Sequence, residues 1–411
     1  MSTFVSRRAS RPARTAGPAV AIIAVSILLA FAVGFGAFWA VGARVAGGGL
    51  SLPRRAGVAA TASGGPVAIA VSVASPALPV IDLKRRLRDL SYIPVKGIYI
   101  SSWAAGSKEI FDKQLALADR TEINAMVIDV KDATGYVSYS TDVPLAKELK
   151  LEEKRIGDID ALVATLKEHK IVPIARIVCF NDPILAKRRP EYAVKSKGGG
   201  NWKDNKGSSY TNPYDRRVWK YLVDLGEDAA DRGFREIQFD YVRFPSDGKI
   251  SDAVYPGAGG SKEDTIARFL AYARERLEKR GVWVSADVFG LTVHVKDDLG
   301  IGQKIEKVSQ NVDIVCPMIY PSHYYAGSYN QKSPNSHPYE IITAAMKDST
   351  KRLQGTGAIV RPWLQDFSLG GVTYGVEQVK AQIKAVEEQG YTEWLLWDPS
   401  LKYTEGALQP S

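Results

Sequence analysis

Two hydrophobic periods alternate along most of this 411-residue chain. Eight strand-like apolar runs end in polar or charged residues, at 96–101, 125–132, 171–182, 236–245, 282–290, 312–320, 358–367 and 393–399. Between most of them apolar positions recur at helical spacing, as in 158–169, where Ile159, Leu162, Val163 and Leu166 share a face, and in 216–232, 262–280 and 374–389. Three of these helical stretches stop just before Gly233, Gly281 and Gly390, suited to a left-handed cap that feeds the next strand. The pattern predicts an α/β fold, a single (β/α)8 TIM barrel over 92–411, with its chemistry at the C-terminal ends of the strands. A doubly wound open sheet would need a Gly-rich phosphate turn after the first strand, and Ile100-Ser101-Ser102-Trp103-Ala104 is not one.

The fourth run is the most informative. Pro245 cannot donate to a sheet ladder, so pairing is expected to stop at about Phe244. Alternation then places Gln238, Asp240 and Val242 on one face and Ile237, Phe239 and Tyr241 on the other. Asp240 points away from the apolar side, either as a reactive acid or as a structural partner of Arg243. Further acids stand at or near strand ends: Asp129, Asp132, Asp182, Asp287, Asp366 and Asp398. Cleavage of a glycosidic bond needs two carboxyls, one to protonate the departing oxygen and one to attack the sugar or activate water. Asp240 and Asp287, on neighbouring strands, are the expected pair. Trp283 shares the face of Ser285 and Asp287 and should lie beneath the acid, raising its pKa. Asp129 and Lys131 share a face and are expected to pair. Arg243 either orients an acid or, one odd step from Asp240, faces the helices.

Aromatic and amide residues crowd the loops: Trp103, Tyr136, Tyr139, Asn181, Trp202, Tyr210, Asn212, Tyr214, Tyr320, Tyr324, Tyr325, Tyr329, Trp363 and Trp397. Flat rings suit the apolar faces of sugars. The expected substrate contacts are Trp103, Asp129, Lys131, Asn181, Trp202, Asn212, Arg243, Tyr320, His323, Trp363, Trp397 and Asp398, with 198–202 either a flap or a plain surface loop. Four histidines and two cysteines make no metal motif, so neither metal nor cofactor is expected. Cys179 and Cys316 fall in non-adjacent strands and read as buried thiols.

Residues 1–18 are basic, and 19–41 form an apolar run long enough to span a bilayer. With the arginines kept cytoplasmic, 19–41 reads as a signal anchor or, alternatively, a cleaved signal peptide, with the barrel outside the cell membrane. Residues 42–91 comprise a low-complexity linker, with a flexible spacer at 46–81 and a basic neck whose Leu83, Leu87 and Leu90 form one stripe. Too little chain follows the eighth strand for an eighth helix. The neck is expected to cover that gap, beside Leu401 and Leu408, or to close the barrel floor or lie on the membrane. Residues 1–91 carry eleven Lys/Arg against two Asp, the whole net charge of +9. The barrel is neutral, which speaks against a nucleic-acid partner and suits an uncharged carbohydrate.

The motifs Val95-Lys96-Gly97-Ile98-Tyr99, Val127-Ile128-Asp129-Val130-Lys131-Asp132, Thr211-Asn212-Pro213-Tyr214 with Trp219, and Phe239-Asp240-Tyr241-Val242-Arg243-Phe244-Pro245 occur in order. Ala286-Asp287-Val288-Phe289-Gly290, Pro317-Met318-Ile319-Tyr320-Pro321-Ser322-His323-Tyr324 and Leu396-Trp397-Asp398-Pro399 follow. Together they resemble a glycoside hydrolase domain family long catalogued as a domain of unknown function. The resemblance implies a sugar-active barrel distantly similar to the α-amylase-type clan, with a nucleophile on strand four, an acid/base on strand five and a stabilising Asp on strand seven. Asp240, Asp287 and Asp366 occupy those places, although the clan's acid is generally Glu. The function this implies is hydrolysis of a cell-envelope or extracellular polysaccharide. The alternative is a non-catalytic polysaccharide-binding barrel that scaffolds envelope assembly.

Overall fold

The computed structural model describes residues 92–411. The expected basic terminus (1–18), anchor (19–41) and linker with its neck (42–91) lie outside the described residues. Among the described residues no helix is long and apolar enough to cross a membrane.

Eight parallel strands close into a barrel: β1 (Lys96–Ile100), β2 (Ala125–Lys131), β3 (Val172–Val178), β4 (Glu236–Asp240), β5 (Trp283–Phe289), β6 (Ile314–Met318), β7 and β8 (Trp394–Trp397). β7 comes in two pieces, Ile359–Val360 against β6 and Trp363–Gln365 against β8, because Arg361-Pro362 interrupts the ladder. β8 pairs with β1 through Lys96↔Trp394, which shuts the cylinder. Outside run α1 (Lys108–Arg120), α2 (Ile159–Glu168), α3 (Arg216–Asp231), α4 (Lys262–Glu278), α5 (Ile305–Ser309), α6 (Pro338–Leu353) and α7 (Val376–Glu388). Asp158, Asp215 and Ser261 cap α2, α3 and α4 by accepting a backbone N–H of the first turn. The interior strands are buried on both faces, which explains their near-continuous apolar runs.

Two expectations change. β4 stops at Asp240, four residues earlier than the proline signal suggested, because Tyr241 turns into the left-handed region (φ 48°). The long β3–α3 and β4–α4 connections fold on each other through a two-stranded ribbon, Lys195–Ser196 against Ala253–Val254. Gly198–Gly200 form an exposed tip beside that ribbon, whereas Trp202 behind them is buried, its indole N–H bonded to the Lys249 carbonyl and its ring edge-on to Tyr210.

The place of an eighth helix is taken by the C-terminal segment. A single turn at Glu405–Ala407 follows buried Leu401, Leu408 is buried beyond it, and Gln409 accepts the Glu122 N–H at 2.9 Å. The floor is closed from within. Arg361 donates to both oxygens of Glu236 (2.9 Å) and to Glu393 (2.8 Å), and Ser285 donates to Glu236 (2.6 Å). Tyr92 completes this layer, its hydroxyl donating to Glu393 (2.6 Å) and accepting from Arg361 (3.0 Å), with its ring edge-on to Trp283.

Candidate active site

Above the floor, inward side chains from all eight strands or their ends converge on one guanidinium. Arg176 of β3 is flanked by Asp129 of β2 and Asp240 of β4, and ion-pairs with both through Nη1 and Nη2. Its Nε stands 4.0 Å from Oδ2 of Asp287 on β5. Tyr99 of β1 donates to the second oxygen of Asp129 (2.6 Å), and Trp363 of β7 donates to Oδ1 of Asp287 (2.8 Å). Trp397 stacks on Tyr99 with centroids 4.1 Å apart and lies edge-on to Trp363, walling the arginine with aromatic surface.

The two expected carboxyls are thereby brought together in unlike surroundings. Asp240 has an anion's partners: Arg176 on one oxygen and the Tyr241 N–H on the other. Asp287 is 1% exposed, and burial together with the charge of Asp240 pushes its carboxyl well above the usual range, against the pull of Arg176 and Trp363. Burial also raises Asp129, although Arg176 opposes the rise. Arg176 loses hydration on burial, yet Asp129 and Asp240 hold it firmly charged. Burial, Asp287 and Asp240 drive the Tyr320 phenol well up at the end of β6. His323, half-buried and edge-on to Tyr320 and Phe367, is held neutral by desolvation, its pKa down to about 4.

Several expected contacts stand elsewhere. Lys131 does not pair with Asp129: a register shift between the two opposes Lys131 to Ile177, so its ammonium leaves the inner face and meets Asp182 (3.0 Å) and the Val178 carbonyl. Arg243 bonds Ser246 and the Phe244 carbonyl between the rings of Tyr241 and Phe289, and no ion pair joins it to Asp240 among the described residues. Asn212 bonds the Pro256 carbonyl, and Asn181 accepts from Ser208; both brace the β3–α3 connection. Asp398 closes its own turn through Ser400 and Lys402. Both oxygens of Asp366 are taken by Thr404, so the third expected acid holds the C-terminal segment. Trp103 lies over Arg155, which pairs with Asp132 and Glu153. Trp283 keeps the expected face but belongs to the floor; the indole touching Asp287 is that of Trp363. Cys179 and Cys316 are free and buried, as expected.

Arg176, Tyr99 and the floor pair Glu236–Arg361 are site and floor residues that strand-end acids and loop aromatics do not point to. The available signal was a charge inside an otherwise apolar strand, because such a group is buried only when paired.

A closed (β/α)8 barrel with acids and aromatic walls at its strand ends is an architecture on which sugar-cleaving hydrolases are built. The model of a family described as "Putative glycosyl hydrolase domain" matches residues 97–403, and the chain belongs to this family of glycosidases. Similar solved structures include a hypothetical protein from Ruminiclostridium thermocellum, 39% identical over 50% of this chain and 98% of its own, at a TM-score of 0.44. The glycoside hydrolase domain of PgaB (BpsB) from Bordetella bronchiseptica is 12% identical over 77% of this chain and 99% of its own, at a TM-score of 0.55, a likeness of fold. The glycoside hydrolase domain of PelA from Pseudomonas aeruginosa is 12% identical over 76% of this chain and 97% of its own, at 0.44. No curated protein matches the chain.

Proposed function

We propose that the barrel hydrolyses a glycosidic bond in a cell-envelope or extracellular polysaccharide, with Asp287 as general acid and Asp240 as the attacking carboxylate. The observation that carries this reading is the opposed state of two acids on neighbouring strands: Asp240 ion-paired, Asp287 buried and pushed toward its protonated form. Asp287 would give its proton to the glycosidic oxygen as the C1–O bond breaks. In a retaining course Asp240 bonds to C1, and water, deprotonated by Asp287, later releases the sugar. Trp397 and Tyr320 supply ring surface, while neutral His323 can donate to or accept from a hydroxyl. The N-terminal run 19–41 supports a membrane-anchored barrel outside the cell, and protease added to intact cells should then free it by cutting within 46–81.

Release of reducing ends from a polysaccharide panel is the deciding measurement. Asp240→Asn and Asp287→Asn should each abolish release while retaining the fold and much of the ligand binding. Binding without release by the wild-type chain would make it a polysaccharide-binding barrel, and wild-type turnover by Asp240→Asn would remove the proposed nucleophile.

A further inference from the structure

Arg176 stands among three carboxylates, yet one of its N–H edges is unused. Nη1 serves Asp129 and Nη2 serves Asp240, whereas the buried Nε has no hydrogen-bond partner among the described residues. It lies 4.0 Å from Asp287 Oδ2, too far for a hydrogen bond and near enough to reach one by a shift of about 1 Å. Trp363 occupies the other Asp287 oxygen, so Oδ2 is the one left for the acid proton.

We propose that Arg176 is a positioning residue that follows the negative charge of the reaction, bound to Asp240 before cleavage and closing its Nε–H onto Asp287 Oδ2 once that carboxyl has lost its proton. This rests on the roles given above to Asp240 and Asp287. As the C1–O bond breaks, its electron pair stays on the departing oxygen, which takes the Asp287 proton, so Asp287 becomes an anion. Asp240 meanwhile loses its charge, either by bonding to C1 or by taking a proton from the attacking water. One negative charge thus disappears beside Nη2 while one appears opposite Nε. Losing one of two counter-charges in a buried site is costly, and a guanidinium that stands between the two acids, anchored on Asp129, keeps one of them charged beside it throughout. Asp129 supplies the anchor: it holds Nη1 and is itself held by Tyr99, while Tyr99 and Trp397 wall the guanidinium.

The groups that face this arrangement are Tyr99 on β1, Asp129 and the nearby Asp132 from β2, Cys179 beyond β3, Asp240 and Glu236 on β4, and Cys316 with Tyr320 from β6. Burial pushes the Tyr and Cys groups well up, so they stay protonated while Asp287 ionises.

The test uses the full chain labelled with 15N in arginine. The Arg176 Nε–H resonance should move as Asp287 ionises, should lose that movement in Asp287→Asn, and should move at lower pH in Asp240→Asn, which removes the charge that raises Asp287. A resonance indifferent to pH, or one that moves equally in Asp287→Asn, overturns the proposal. In turnover, Arg176→Lys should lose about ten-fold more kcat on alkyl glycosides, which need the acid, than on dinitrophenyl glycosides, which do not, with KM little changed. Equal loss on both substrates would make Arg176 merely structural. No turnover by the wild-type chain overturns the hydrolase reading, whereas a silent resonance in an active enzyme overturns the pivot alone. The resonance measurement needs no Arg176 variant and stays decisive if that variant does not fold.

Discussion

Asp240, Asp287 and Asp366 are chemically one residue type, and their neighbours give them three behaviours. Trp363 favours the charged form of Asp287 by donating to it. Trp363→Phe should therefore raise the Asp287 pKa and move the alkaline limb of kcat/KM upward by about one pH unit, equivalent to ~1.4 kcal/mol. An unmoved limb would show that another group titrates there. Asp366 is pushed up to about 6, first by burial, with its Thr404 bonds opposing the rise. The unfolded chain loses this proton near 3.8 and the folded chain near 6, so the carboxyl's contribution to stability falls as pH rises through that window. Asp366→Asn should accordingly be more stable than wild type at pH 7, by at most about 3 kcal/mol, and lose that advantage at pH 3.5. Guanidinium unfolding at both pH values measures the difference; equal effects at both would contradict the assignment.

At the scale of elements, the C-terminal segment does the work of a helix with one turn. Leu401 and Leu408 bury apolar surface against the barrel, while the Arg120–Glu405 pair beside them is exposed. Burial is the larger effect, because an exposed ion pair is screened and loses side-chain entropy. Leu408→Ala should cost about 2 kcal/mol or more, and Arg120→Ala should leave the thermal midpoint unchanged within error. The reverse order would mean that the segment is held by charge. The ends of β2 and β4 show how local backbone sets chemistry. One shifted register sends Lys131 away from Asp129, and one left-handed residue ends β4 with Asp240 at the rim.

For the whole molecule, the barrel has a floor of buried charge and a rim of buried acids. Arg361 is wholly buried and balanced by Glu236 and Glu393, so removal of any partner leaves an uncompensated charge. Tyr92 is the first described residue and its phenol joins this network. A chain beginning at residue 93 should therefore unfold at a lower temperature than one beginning at residue 91. Equal midpoints would place Tyr92 outside the cooperative unit.

The barrel, its eight strands, the placing of Asp240 and Asp287 on neighbouring strands and the buried thiols were legible in the sequence. Each depends on periodicity, strand order or residue type, which a linear pattern carries directly. What only the tertiary structure decided was which side chain meets which acid. Arg176, Tyr99 and Trp363 come from strands 3, 1 and 7, and their convergence depends on barrel closure and register that no local pattern encodes. Trp202, Asn212 and Asn181 looked like sugar contacts because the same aromatic and amide groups serve equally well to pack and satisfy a long connection. Asp366 read as a catalytic acid and Asp398 as a substrate contact because a strand-end carboxylate can either face a ligand or cap a turn, and only the tertiary structure brings Thr404 and Ser400 to their oxygens.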